Sequence, residues 1–161
     1  MRKLTAWTIC LLVIAVASAQ ALAQQNAIME PKKLFTKHFN STAFDITKNA
    51  MYSVEVLPND KEYPIGKGTV GVVVHNARDE DVKGAGLGIT YKNLDTGKVI
   101  TPTGIKDKHN GLYIVTGLGD LYQPGNWSLA ITVDVNGAKD GVDFKLPEAF
   151  KKPYPKGRYS P

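Results

Sequence analysis

Apolar and polar residues alternate along most of this chain, most cleanly between Trp127 and Val135. Trp127, Leu129, Ile131, Val133 and Val135 fall on one face, and Ser128, Ala130, Thr132 and Asp134 on the other. Successive side chains of an extended strand point to opposite faces, so a period of two predicts a half-buried strand. Gly111 to Leu118 predicts a second strand, and Pro124-Gly125 turns the chain between them. Proline presets the first turn dihedral there, and glycine accepts a positive φ.

The same pattern recurs on either side. Tyr52, Val54 and Val56 alternate with Ser53 and Glu55 until Leu57-Pro58-Asn59-Asp60 stops the run. Thr69 to Asn76 is β-branched and apolar on both faces, as a central strand is. Leu87, Ile89 and Tyr91 predict another strand. Val99-Ile100-Thr101 predicts a short edge strand ended by Pro102. Asn136 to Asp140 predicts a turn, and Val142, Phe144 and Leu146 a last strand. About seven short strands, set apart by Gly, Pro, Asn and Asp, predict an all-β sandwich over residues 51–147. Residues 24–50 predict an arm or short helix ahead of it, with Leu34, Phe35 and Phe39 on one helical face. Residues 148–161 form a basic, Pro-rich tail, expected to be disordered or extended.

The N-terminus changes the compartment. Met1-Arg2-Lys3 precedes an almost wholly apolar run from Leu4 to Val16, followed by Ala17-Ser18-Ala19 and Ala21-Leu22-Ala23. A basic start, a short apolar run and small-x-small sites predict a secretory signal peptide over residues 1–23, cut after position 19 or 23. The mature chain is then periplasmic or secreted. The one cysteine, Cys10, lies inside the leader. The mature chain therefore has no disulfide, thiolate metal site or cysteine nucleophile, and its stability rests on an apolar core.

Charge excludes one class of partner. The formal net charge is +5, but Arg2 and Lys3 belong to the leader, and Lys151, Lys152, Lys156 and Arg158 to the tail. Residues 24–147 hold fourteen basic and fourteen acidic residues. A nucleic-acid surface needs basic residues clustered on the folded body, so no nucleic-acid partner is expected. The tail reads as a solvated terminus, or as a peripheral contact with an anionic membrane surface.

Three stretches together resemble a known family. Val82-Lys83-Gly84-Ala85-Gly86-Leu87, then Gly111-Leu112-Tyr113, then Leu121-x-x-x-Gly125-x-Trp127-Ser128-Leu129-x-Ile131 resemble the YtkA-like and FixH-like exported domains. The resemblance covers roughly residues 51–146 and implies an immunoglobulin-like β-sandwich. Within that frame four residues are structural. Asp107-x-x-x-Gly111-x-Tyr113 looks like a tyrosine corner, whose phenol bonds to backbone. Trp127, following Gly125, is the large core residue between the sheets.

The functional expectation is an exported, non-catalytic binding or assembly module of the cell envelope. It would take an envelope protein partner through loops at one end or an exposed strand edge, and need no cofactor. No catalytic residue is assigned, since the chain holds no Gly-x-Ser-x-Gly nucleophile turn. FixH-like members are associated with assembly of a copper-containing oxidase, so the resemblance also implies an alternative: a copper-handling accessory protein. Its candidate metal ligands are His75, His109 and Met51, since copper takes imidazole and thioether donors. His38 and Met29 are the remaining such donors after the leader, and no His-x-His or His-x-x-His pairing occurs. Asp79-Glu80-Asp81 reads as a solvated loop, lacking the glycine and alternate-position acids of a calcium loop.

Overall fold

The computed structural model describes residues 34–58, 65–66 and 68–151, and the backbone of 158–159. The leader and its cleavage sites lie outside the described residues. Among those described, no helix is long and apolar enough to cross a membrane.

Two antiparallel sheets face each other in a β-sandwich. The five-stranded sheet runs β2 (Ala43–Ile46), β3 (Tyr52–Leu57), β4 (Thr69–Asn76), β8 (Leu112–Thr116) and β7 (Gly104–Asp107) in spatial order. The four-stranded sheet runs β10 (Ala138–Leu146), β9 (Trp127–Val135), β5 (Gly86–Asn93) and β6 (Val99–Ile100). The inner faces are alternating sets, those of β3, β5, β9 and β10 as predicted. Val54, Val56, Val70, Val72, Val74, Tyr113 and Val115 meet Ile89, Tyr91, Leu129, Ile131, Val133, Val142 and Phe144 in one core.

Trp127 lies in that core, 4% exposed. Its ring stacks on Tyr91 with centroids 4.5 Å apart, and its Nε1–H donates to Pro124 O at 3.2 Å. Gly125 has φ +114, and a Cβ there would come within 3.3 Å of Trp127 Nε1 and Asn93 Nδ2. The turn must therefore be glycine for the indole to lie beneath it. The Tyr113 hydroxyl donates to Val82 O and accepts from Ala85 N–H, both at 2.9 Å. The phenol does bond to backbone. Its partners lie in the loop before β5, far upstream, and not beside its own strand as in a tyrosine corner.

Several segments differ from the sequence reading. Ala43–Ile46 is a strand of the five-stranded sheet, paired with β3, and not part of an arm. Its four residues are too few to show a period. Phe35–Thr36 (β1) is extended and pairs with Arg158–Tyr159 (β11), so no helix forms over Leu34, Phe35 and Phe39. The tail contributes that strand and a four-residue helix, α1 (Glu148–Lys151). The final hairpin turns on Asn136-Gly137 alone, with φ +53 and +87. Two successive positive φ values suit a two-residue hairpin turn, so β10 starts at Ala138.

Asp140 ties that hairpin to the β2–β3 turn. It is buried, and it accepts from the N–H groups of Asn49, Met51 and Gly141. Burial alone would raise its pKa. Hydrogen bonds from the Thr47 side chain and from the backbone of Gly141, Asn49 and Met51 outweigh burial and hold the carboxyl below its usual value. A depressed carboxyl contributes stability above its unfolded pKa, about 3.9, and loses it as pH falls through the folded value. Asp140→Asn is expected to cost about 2 kcal/mol at pH 7. Urea midpoints measured between pH 7 and pH 2 should show wild type and variant converging in acid.

Candidate functional site

The outer face of the five-stranded sheet carries the chemistry. In β4 the residues facing away from the core are Gly71, Val73 and His75; in β3 they are Ser53, Glu55 and Leu57. Leu57, Ile65, Val73 and Leu112 form a small apolar cluster on this face. A Cβ at Gly71 would meet Ile65 Cδ1 at 2.8 Å, so the cluster closes only over glycine.

The segment from Leu34 to Thr42 crosses this face and is held by two carboxylates. Glu55, 1% exposed, accepts from the backbone N–H groups of His38 and Phe39, the latter at 3.1 Å, and from Thr42 Oγ1 at 3.2 Å. Burial pushes the Glu55 carboxyl up, against the downward pull of those N–H groups and the hydroxyl. Asp79 Oδ1 accepts from Thr36 N–H at 3.1 Å. Leu34 N–H donates to Ala77 O at 2.8 Å.

A tight reversal after β4 sets the second carboxylate. Asn76 Oδ1 accepts from the N–H groups of Arg78 and Glu80, at 2.8 and 3.2 Å. Asp79 takes φ +67, a left-handed conformation that aspartate tolerates better than most residues. The reversal brings Asp81 back beside His75. Gly111, at φ +75, makes room there: a Cβ would lie 3.0 Å from Asp81 Oδ1 and 3.1 Å from Val74 O.

His38, His75 and Asp79 converge as a result. Each offers one ligand atom, and these atoms all lie within 4.8 Å of one another. The two imidazole centroids are 4.3 Å apart with planes at 34°. His38 Nε2 is 3.7 Å from Asp79 Oδ2, and its Nδ1 is 3.6 Å from Glu55 Oε1. His75 Nε2 is 3.2 Å from Asp81 Oδ1. Burial pushes the His75 pKa down and proximity to His38 adds to this, while Asp79 and Asp81 oppose it. Beside the histidines a cavity of about 230 Å³ opens, walled by Phe39, Leu57, Val73 and Leu112, with Asp81 and Asn110 at its polar side.

Of the residues singled out from sequence, His75 lies in this cluster, 6% exposed. The histidine that joins it is His38. His109 sits at the left-handed tip of the β7–β8 turn with its side chain 84% exposed, Nδ1 3.5 Å from Asp107. Met51 packs against the core between the sheets, on the far side of the five-stranded sheet from His75. The structure thus does not bring His75, His109 and Met51 together. Sequence reading missed His38, Asp79 and Asp81, because two belong to a loop rich in charge and one to a segment with no strand period.

No family model matches the chain, and no curated protein matches it. Among solved structures, a DUF4426 family protein from Pseudomonas aeruginosa PAO1 is similar at 16% identity and a TM-score of 0.46, over 64% of this chain and 92% of that one. The assignment to the class of two-sheet antiparallel β-sandwiches rests on the strand pairing itself. These comparisons do not show the YtkA-like and FixH-like family, whose resemblance rests on the sequence motifs alone.

Proposed function

We propose that the protein is an exported, non-catalytic binding module of the cell envelope, and that it binds at the outer face of its five-stranded sheet. The observation that carries this reading is the cavity beside His38 and His75. It is concave and mostly apolar, with a few converging polar groups at one side, which is the composition of a ligand site. Three of its walls, Leu57, Val73 and Leu112, stand on paired strands, which hold side chains more rigidly than loops do. The leader-like N-terminus supports export.

Methyl-labelled protein titrated with envelope extract tests it. The methyl resonances of Leu57, Val73 and Leu112 are expected to shift together. Shifts confined to other surfaces, or none at any extract concentration, would contradict binding at this face. A second reading, the metal-handling accessory protein, gains support from one observation: the buried His75 stands beside a second imidazole.

A further inference from the structure

We infer that His38, His75 and Asp79 bind a late first-row divalent metal ion, with copper(II) the tightest. This rests on the proposed binding face and names one ligand for it. The donor set is the first reason. Two imidazoles with one carboxylate suit copper, nickel or zinc, whereas calcium and magnesium take oxygen alone.

The arrangement around the donors is the second reason. Asp81 Oδ1 lies 3.2 Å from His75 Nε2, and Glu55 Oε1 lies 3.6 Å from His38 Nδ1, beyond hydrogen-bond distance. Metal-bound histidines ordinarily have their other nitrogen on a carboxylate or carbonyl, which fixes tautomer and ring orientation. With Asp81 beside its Nε2, His75 leaves Nδ1 for an ion, and His38, whose backbone N–H is held by Glu55, has its Nε2 beside Asp79. Asp79 is in turn oriented by Thr36 N–H on its Oδ1, leaving Oδ2 beside His38.

A third observation is independent of these. Ser53 pairs directly with His75 in the β3–β4 register and is 1% exposed, yet its hydroxyl has no hydrogen-bond partner. A buried polar atom without a partner costs free energy. Here it stands on the histidines' own face, directly across from His75.

Among the late first-row divalent ions, copper(II) leads the general affinity order for imidazole and carboxylate donors. Closing the site requires the most separated ligand atoms to approach by about 1–2 Å, a movement of His38 on the arm toward the rigid β4. A bound ion would therefore clip the arm to the sheet.

Calorimetric titration of the purified protein with copper(II) and with zinc, each against a competing chelator, tests the site. Copper(II) is expected at one per chain, tighter than zinc, with an electron paramagnetic resonance spectrum showing two imidazole nitrogens. His38→Ala and His75→Ala should each weaken binding at least about 100-fold, and Asp81→Asn about 10-fold. His109→Ala should leave it unchanged. Absence of saturable binding, or binding that survives the His38→Ala/His75→Ala double variant, would overturn the site. Variants are compared only where circular dichroism shows a retained fold. The methyl shifts of Leu57, Val73 and Leu112 in extract are read separately in metal-free protein, so failure of the ion site leaves the binding-face reading standing or falling by its own result.

Discussion

Trp127→Ala is expected to lower the stability of the protein by about 4 kcal/mol, read as a reduced urea midpoint at unchanged slope. The indole is 4% exposed and fills the space between the sheets at the start of β9. Its removal leaves a void that the paired strands around it cannot collapse into, which adds a cavity term to the lost burial. Two further losses follow. Tyr91 loses its stacking partner, and Pro124 O loses the Nε1–H that it accepts. Trp127→Phe keeps most of the ring but not the donor, so it should recover more than half of the loss. A loss below about 1 kcal/mol for the alanine variant would mean that the indole is not a core residue.

Glu55→Ala is expected to release the arm over residues 34–42. One buried carboxylate holds three donors there, the N–H groups of His38 and Phe39 and the hydroxyl of Thr42. Without it they lose a charged acceptor, at a cost of about 3 kcal/mol. The loss should concentrate in the arm, because the inner core between the sheets is untouched. Hydrogen exchange checks this directly: the amides of His38 and Phe39 should lose protection, while those of Val54, Val72 and Val74 keep theirs. Uniform loss of protection across the chain would instead make Glu55 part of the sandwich's own cooperative unit.

The two-layer body was legible because its strands alternate. β9 shows five inward positions in a row, and β4 shows the two-sided apolarity of a strand covered on both faces. The Trp127 packing followed from size and from the Pro-Gly turn before it. Among the short elements β6 was read from its β-branched pair before Pro102, and others were not legible. β1, β2 and β7 have two to four residues each, too few for a period to stand out. Their pairing depends on distant partners, such as β11 for β1.

The candidate site was half legible for the same reason. His75 ends a clear strand, so its place on the sheet followed. His38 comes to it across 37 positions of sequence, through backbone hydrogen bonds to Glu55 and Asp79 that no local pattern encodes. Asp79 and Asp81 looked like solvated charge until the Asn76 turn folded them over the sheet. His109 looked equally suitable by residue type, but a left-handed turn carries its ring into solvent.

The docking of the arm is what brings the two imidazoles together, and a nuclear Overhauser measurement on ring protons tests it most directly. Metal-free protein with labelled histidines is expected to give a cross-peak between the His38 and His75 rings, as a 4.3 Å centroid separation requires. The Glu55→Ala variant should lose it. A wild-type spectrum with both rings assigned and no cross-peak between them would contradict the account.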